Sequence, residues 1–396
     1  MARRRPQHLA VSSRTGVVLR RIIMVAIAVV LLVGGGYVVA KRDDKAAVSR
    51  SVPTSTTTAP STTASTQPVA SVESTTVPEA TFTISAVGDT MLGKSGSLPP
   101  NPATYFSAVD AEIRGDAQIV FANLEGTFSD VSGSKCGDST SGNCFAFQVP
   151  PSFSQHFAGA GFTVLNTANN HSHDFGSAGL DQTVTAIRSA GMVETGLPGQ
   201  ATVVQAGAIR VGLVGFAPYR ETASMHDLPA ARALIGKARE QSDVVVVYMH
   251  AGAEGTDAQH VTGESELYLG EDRGNAQQFA HMAIDEGAGL VLGSGPHVLR
   301  GVEFYKGRLI AYSLGNFAGY TNFNTSSGVL TNSAILHVTL NRRGEFQAGR
   351  LVPVTLTAKN QPLPGGGSVA LVERLSNEDF GPAAAHFTSD GTISAP

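Results

Sequence analysis

The chain has no tryptophan and only two cysteines among its 396 residues, and charged residues make up only 15% of it. Two cysteines are too few for a zinc or iron–sulfur centre held by thiolates, so any metal chemistry must rest on oxygen and imidazole ligands. A phosphate-cradling P-loop, a G-x-S-x-G nucleophile elbow and a Rossmann glycine fingerprint in a suitable strand–helix context are also missing. Positive charge is scarce outside the first residues. Residues 1–45 hold nine Lys/Arg against two Asp/Glu, which leaves nineteen basic and thirty acidic residues for the rest. An acidic body argues against nucleic acid as a partner. The 42% apolar fraction excludes a wholly disordered chain, and the length suits one large α/β body with extensions.

Residues 22–40 form an uncharged run of nineteen. At about 1.5 Å rise per helical residue this just spans a bilayer core of about 30 Å. Arg3, Arg4, Arg5, Arg14, Arg20 and Arg21 precede it with no acid, whereas Lys41, Arg42 and Lys45 are offset by Asp43 and Asp44. The positive-inside rule then makes 1–21 a cytoplasmic tail, 22–40 a single-pass signal anchor and the body extracytoplasmic. The competing reading is a cleaved signal peptide ending near Ala40 and a secreted body. The run exceeds the usual signal-peptide core of about 7–15 residues. Residues 41–80 are rich in Ser, Thr and Pro and read as a disordered stalk. Cys136 and Cys144 lie in a Gly/Ser-rich loop and are expected to pair in an oxidising compartment.

From residue 81 a pattern recurs. Short apolar runs at 82–87, 117–121, 162–166, 243–248 and 290–292 stop abruptly at Gly88-Asp89, Asn123-Leu124-Glu125, Asn169-Asn170-His171, His250 and Gly295-Pro296-His297. Two further runs, 210–216 and 308–314, behave alike. Near-continuous apolar runs describe strands covered on both faces, and helix-like stretches at 177–190, 228–241 and 274–287 alternate with them. The expectation is an α/β body with parallel pairing, in which sites gather at the carboxyl ends of strands. Each cluster alone has an ordinary reading: Asp89 as a turn residue, Glu125 as a solvated charge, Asn170 as a cap, His250 as a core histidine. Five such endings together point to one site. Asp89, Glu125, Asn170, His250 and His297 form an oxygen- and imidazole-rich set that suits Mn²⁺, Zn²⁺ or Fe. Two ions about 3.5–4 Å apart would clamp an oxyanion and activate water. His171 is placed to act as a general acid and Asp174 to orient it. His173 is a second candidate, or a packing residue.

These motifs, with His250-Ala251-Gly252-Ala253-Glu254 and Ser313-Leu314-Gly315-Asn316-Phe317, resemble the CapA-type poly-γ-glutamate capsule biosynthesis family of the calcineurin-like metallophosphoesterase superfamily. The resemblance implies a four-layer fold over 81–396, a two-sheet sandwich flanked by helices with one or two divalent ions at the sheet edge. It carries over Asp89, Glu125, Asn170, His250 and His297 as ligands and His171 as the acid, with Asn123, Glu254 and Asn316 supporting them. It further implies a membrane-anchored protein of capsule or envelope-polymer synthesis or export, with a surface polymer as substrate and other envelope-synthesis proteins as partners. The alternatives are an extracytoplasmic phosphoesterase and a polymer-binding scaffold without turnover. Met91 departs only from the wider phosphoesterase motif, as is common in CapA-type members. Two positions depart from the family pattern: Ala251, where an aromatic usually stands, and Gly295, where a histidine usually stands. Loss of that nitrogen is expected to leave a gap and weaken one ion position.

A reporter fused to the C-terminus should be active only outside the cytoplasm, and the protein should stay with membranes after a high-salt wash. Release of a soluble fragment beginning near Lys41 would instead show cleavage.

Overall fold

The computed structural model describes residues 79–137, 144–326 and 328–396. The expected anchor at 22–40 and nearly all of the stalk lie outside these residues. Among the described residues no helix is long and apolar enough to cross a membrane.

Two sheets carry the body. The first is built around β1 (Thr81–Thr90), β2 (Ile119–Leu124), β3 (Val164–Asn166) and β4 (Val193–Thr195), which run parallel in that order. The second is built around β5 (Thr202–Ala206), β6 (Ile209–Phe216), β7 (Val244–His250), β8 (Ala288–Ser294), β9 (Val302–Tyr305) and β10 (Arg308–Ala311). Its spatial order is β9-β10-β8-β7-β6-β5, parallel in the middle and antiparallel at both edges. A short strand, β11 (Asn316–Ala318), joins β1 in parallel. Beyond it, β12 (Asn332–Asn341) and β13 (Phe346–Leu356) extend the first sheet antiparallel to β1. The sheets are therefore mixed, more antiparallel than strand–helix alternation alone suggests.

Alternation along single strands shows how the layers stack. In β2, Ile119 and Phe121 enter one core while Val120, Ala122 and Leu124 enter another. In β7, Val244, Val246 and Tyr248 share the first core, whereas Val245, Val247 and Met249 face a third. Successive strand side chains point to opposite faces, so strands apolar at every position need cover on both sides. The shared core lies between the sheets. The outer cores are closed by helices α1 (Gly176–Ser189), α2 (Leu228–Gln241) and α3 (Ala276–Asp285). In α2, Ala231, Leu234, Ile235 and Ala238 recur at helical spacing and are buried against the second sheet. Asp227 caps its first turn by accepting from Ala230 N at 3.1 Å. A fourth helix, α4 (Ser368–Phe380), packs against β9 and β13.

Cys136 and Cys144 are joined by a disulfide. One contact between segments decides where the site forms. A Cβ on Gly88 would collide with the carbonyl oxygen of Gly315, which accepts a hydrogen bond from Asp89 N at 2.9 Å. Gly88→Ala should therefore push β1 off this segment and lower stability by about 1–3 kcal/mol, the usual range for overpacking. Urea unfolding measures this; a variant as stable as wild type would show that the close approach is dispensable.

Candidate metal centre

The carboxyl ends of the two sets of parallel strands meet at one edge of the sandwich. β1 is irregular there. Its pairing with β2 shifts between Val87 and Asp89, and its pairing with β11 shifts between Asp89 and Thr90. A bulge re-aims the side chain at its centre. Asp89 thereby reaches the second sheet, where its Oδ1 accepts from Ser294 Oγ and its Oδ2 accepts from Gly295 N at 3.3 Å. Tyr248 OH bonds in turn to Ser294 Oγ.

Asp89, Glu125 and His297 offer ligand atoms that all lie within 4.8 Å of one another. His297 Nδ1 is 3.1 Å from Asp89 Oδ2 and 2.9 Å from Asn316 Oδ1, two acceptors that fix the proton on Nδ1. Nε2 is left facing Glu125 Oε1 at 3.5 Å and Glu254 Oε2 at 3.7 Å. His250 adjoins the group, with Nδ1 3.9 Å from Asp89 Oδ1 and Nε2 3.7 Å from Glu125 Oε1. Asn123 orients Asp89, donating to Oδ1 at 2.8 Å, and is itself held by Asn166 and Asn169, which donate to its Oδ1 at 2.7 and 3.0 Å. His297 adopts φ 61°, in the left-handed region that non-glycine residues avoid. Such strain persists only where surrounding contacts impose it, and it clusters at functional sites.

Asn170 has no hydrogen bond or ion pair with this group. It lines a cavity of about 280 Å³ together with Lys135, Ser172, His173, Tyr219 and Glu221. His171 and Asp174 form a dyad, with His171 Nδ1 2.8 Å from Asp174 Oδ2. Asp174 Oδ2 also accepts from Phe147 N at 2.6 Å, and its Oδ1 is 2.8 Å from Lys135 Nζ. Lys135 precedes the disulfide-bonded Cys136. His173 bonds Ser172 Oγ through Nδ1 at 3.0 Å and lies outside the dyad.

Gly295 corrects an expectation. The position is not a vacant ligand site. Its φ is 115°, and a Cβ there would lie 3.1 Å from Ala251 N and 3.3 Å from the His250 ring. A side chain there would crowd the His250 ring from its first carbon, and the glycine lets its N–H approach Asp89. Sequence reasoning also missed Ser294, Lys135 and the buried Arg273, whose Nη1 donates to Glu254 at 2.8 Å. Only an adjacent strand end, an adjacent cysteine and a lone basic residue could have signalled them.

The electrostatics follow from burial. Glu125 is fully buried and neither carboxylate oxygen has a hydrogen-bond partner; His250 Nε2 and Asn170 Oδ1 are buried and unpaired as well. Leaving a buried charge unpaired costs several kcal/mol. These atoms are hard and borderline ligands of the kind a divalent cation takes, and the ligand atoms of Asp89, Glu125 and His297 lie close enough together to share one. Burial raises Glu125 well above the usual carboxylate range. It also tends to raise Asp89, but bonds and charge from His297, with His250 and Ser294, hold Asp89 down at about 2. Burial lowers His250 to about 3. Burial opposes a charged His297 too, yet Glu125, Asp89 and Glu254 raise it to about 10. Without an ion, the proton on His297 Nε2 therefore supplies the positive charge between the acids.

The family model described as "Bacterial capsule synthesis protein PGA_cap" matches residues 83–321, which contain every residue of this centre. The chain belongs to this capsule synthesis family. It is 31% identical over 208 residues to the PGA biosynthesis protein CapA of Bacillus subtilis, covering 47% of this chain and 50% of that one. It is 31% identical over 191 residues to the capsule biosynthesis protein CapA of Bacillus anthracis, covering 42% and 43%. The chain thus spans about half the length of the curated relatives it matches. Among solved structures, a hypothetical protein from Thermus thermophilus aligns with a TM-score of 0.42 at 16% identity, covering 68% of this chain and 98% of that one. A 5'-nucleotidase precursor from the same organism aligns with a TM-score of 0.39 at 15% identity, covering 71% and 56%.

Binding a divalent ion at neutral pH should expel at least the His297 proton, because a metal ligand must be unprotonated. Calorimetric titration with Mn²⁺ in two buffers of different ionisation heat should show at least one proton released per ion. Affinity should rise about tenfold per pH unit above 7 until His297 titrates near 10. No proton release, with Mn²⁺ bound, would place the ion elsewhere.

Proposed function

We propose that this capsule-family protein is a metal-dependent hydrolase or transferase acting on an envelope polymer of the poly-γ-glutamate type. In this reading the segment 22–40 anchors it in the bilayer, the body works outside the cytoplasm beside other envelope-synthesis proteins, and nucleic acid is not a partner. The supporting observation is the set of buried, unpaired ligand atoms on Glu125 and His250 beside the Asp89–His297 pair. The Bacillus subtilis relative, a PGA biosynthesis protein, supplies the polymer class.

A bound divalent ion would polarise a carbonyl or phosphoryl oxygen and make a bound water more acidic. The chain's own groups do the rest. Asn123 and Ser294 keep Asp89 aimed at the centre, and His297 is the main group that keeps it ionised. Asp174 fixes the His171 tautomer, leaving Nε2 to exchange a proton with substrate. Burial lowers His171, despite the bond to Asp174, so the ring is neutral at physiological pH. His171 therefore first accepts a proton from the attacking water, or from the acceptor's hydroxyl in a transfer, and then delivers it to the leaving group. Lys135 limits the charge that Asp174 can lend to an imidazolium. The 280 Å³ cavity beside Asn170 is the place for the substrate segment next to the scissile bond.

Metal content and polymer cleavage by the purified full chain test this. Asp89→Asn should lose both. His171→Ala should retain the ion and lose about 10²–10⁴-fold in turnover, the range for a general acid–base group. A wild-type protein that holds no divalent ion under any loading condition would leave a polymer-binding scaffold. Cleavage of small phosphodiesters but not of polymer would make it a phosphoesterase.

A further inference from the structure

Two arginines are buried near the centre to the same degree, and they are not alike. Arg300 engages all three of its nitrogens. Its Nε donates to Ala258 O at 2.7 Å, and Nη1 and Nη2 donate to the two oxygens of Glu266 at 2.8 and 2.6 Å. It pins the loop after β7, and none of its nitrogens lacks a partner. Arg273 spends one nitrogen. Its Nη1 serves Glu254 at 2.8 Å and lies 3.8 Å from Glu271. Its Nε and Nη2 are buried with no partner among the described residues.

The surroundings of Arg273 hold the guanidinium in place without satisfying it. Its Cζ lies over the rings of Tyr219 and Tyr268, 5.7 and 5.8 Å from their centroids. Ring faces stabilise the charge but do not accept the in-plane N–H bonds of the fork. Its backbone is fixed as well, since Arg273 N donates to Glu266 O at 2.7 Å and Gly252 N donates to Arg273 O at 2.9 Å. Tyr219 carries the third orphan, a buried hydroxyl with no partner. That side chain lines the 280 Å³ cavity and borders Glu125 and Glu254 electrostatically. Three buried donors on Arg273 and Tyr219 thus stand beside the unpaired acceptors of the metal group. The acceptors call for a cation. The donors call for an anion, and a guanidinium fork matches the paired oxygens of carboxylate or phosphate.

We infer that Arg273 and Tyr219 form an oxyanion-binding subsite that holds a carboxylate or phosphate group of the substrate next to the metal centre. The inference rests on the reading of the centre as a substrate-processing site, and it names the charge that the substrate must carry there. Through Glu254, which sits between Arg273 Nη1 and His297 Nε2, anion and cation sites share one carboxylate.

The test is calorimetric titration of the metal-free full chain in detergent with inorganic phosphate and, separately, with glutarate. Saturable binding of at least one anion is expected, and the tighter of the two names the source. Arg273→Lys, which keeps the charge and loses the fork, should weaken binding at least tenfold. Tyr219→Phe removes one oxygen and should weaken it several-fold while leaving Mn²⁺ affinity at the wild-type value. Absence of saturable binding to either anion overturns the subsite. So does unchanged binding in both variants, or in Tyr219→Phe alone where Arg273→Lys fails to fold. A protein that binds Mn²⁺ but neither anion loses this inference and keeps the proposed metal chemistry. One that binds anion but no metal does the reverse.

Discussion

A glutamate that is fully buried, with both carboxylate oxygens unpaired, is the constraint on which the rest of the centre depends. Glu125 follows the last residue of β2 and has no route to water. Its nearest compensating charge is His297, 3.5 Å away on a loop of the other sheet. To bring that imidazole close, the chain accepts a left-handed backbone at His297, a bulge at Asp89 and a glycine at 295 that fits against the His250 ring. Each feature weakens local regularity. Together they draw the two sheet ends into one cluster of charge. Such local costs are tolerated where a site demands them.

The polar groups around the cluster divide by role. Asn166, Asn169 and Asn123 form a relay of amides that ends on Asp89, so the first sheet fixes that carboxylate. Tyr248 and Ser294 do the same from the second sheet. The His171–Asp174 dyad is held separately, by Phe147 N and by Lys135 beside the disulfide. The stapled loop thus does more than stiffen itself, since it delivers a cation to the dyad's acid. Glu125 and His250 hold buried atoms without partners that can bind a cation, and Arg273 and Tyr219 hold donors without partners. This division fits a site that takes an ion and an anionic substrate together.

Much of this was legible in the sequence because strand ends and helix faces are local. The spacing at 228–241 coincides with α2, and apolar residues at successive positions of β7 implied cover on both faces. Asp89, Glu125, His250 and His297 could be named because each follows an apolar run. Arg273, Ser294 and Lys135 could not, because their importance lies in contacts between segments far apart in the chain. Gly295 was misread for a related reason. Sequence shows a missing histidine there, whereas the structure shows a positive φ and a ring 3.3 Å from where a Cβ would stand. The antiparallel pair β12–β13 likewise lies outside the strand–helix rhythm that identified the remainder.

The central claim is that oxygen and imidazole side chains of this centre hold a divalent ion. Electron spin-echo spectroscopy of the Mn²⁺-loaded full chain tests it most directly, because imidazole nitrogen bound to manganese modulates the echo and carboxylate oxygen does not. The account predicts nitrogen modulation in the wild type that diminishes in His250→Ala and again in His297→Ala. Manganese bound without nitrogen modulation, or modulation unchanged in both variants, would contradict it.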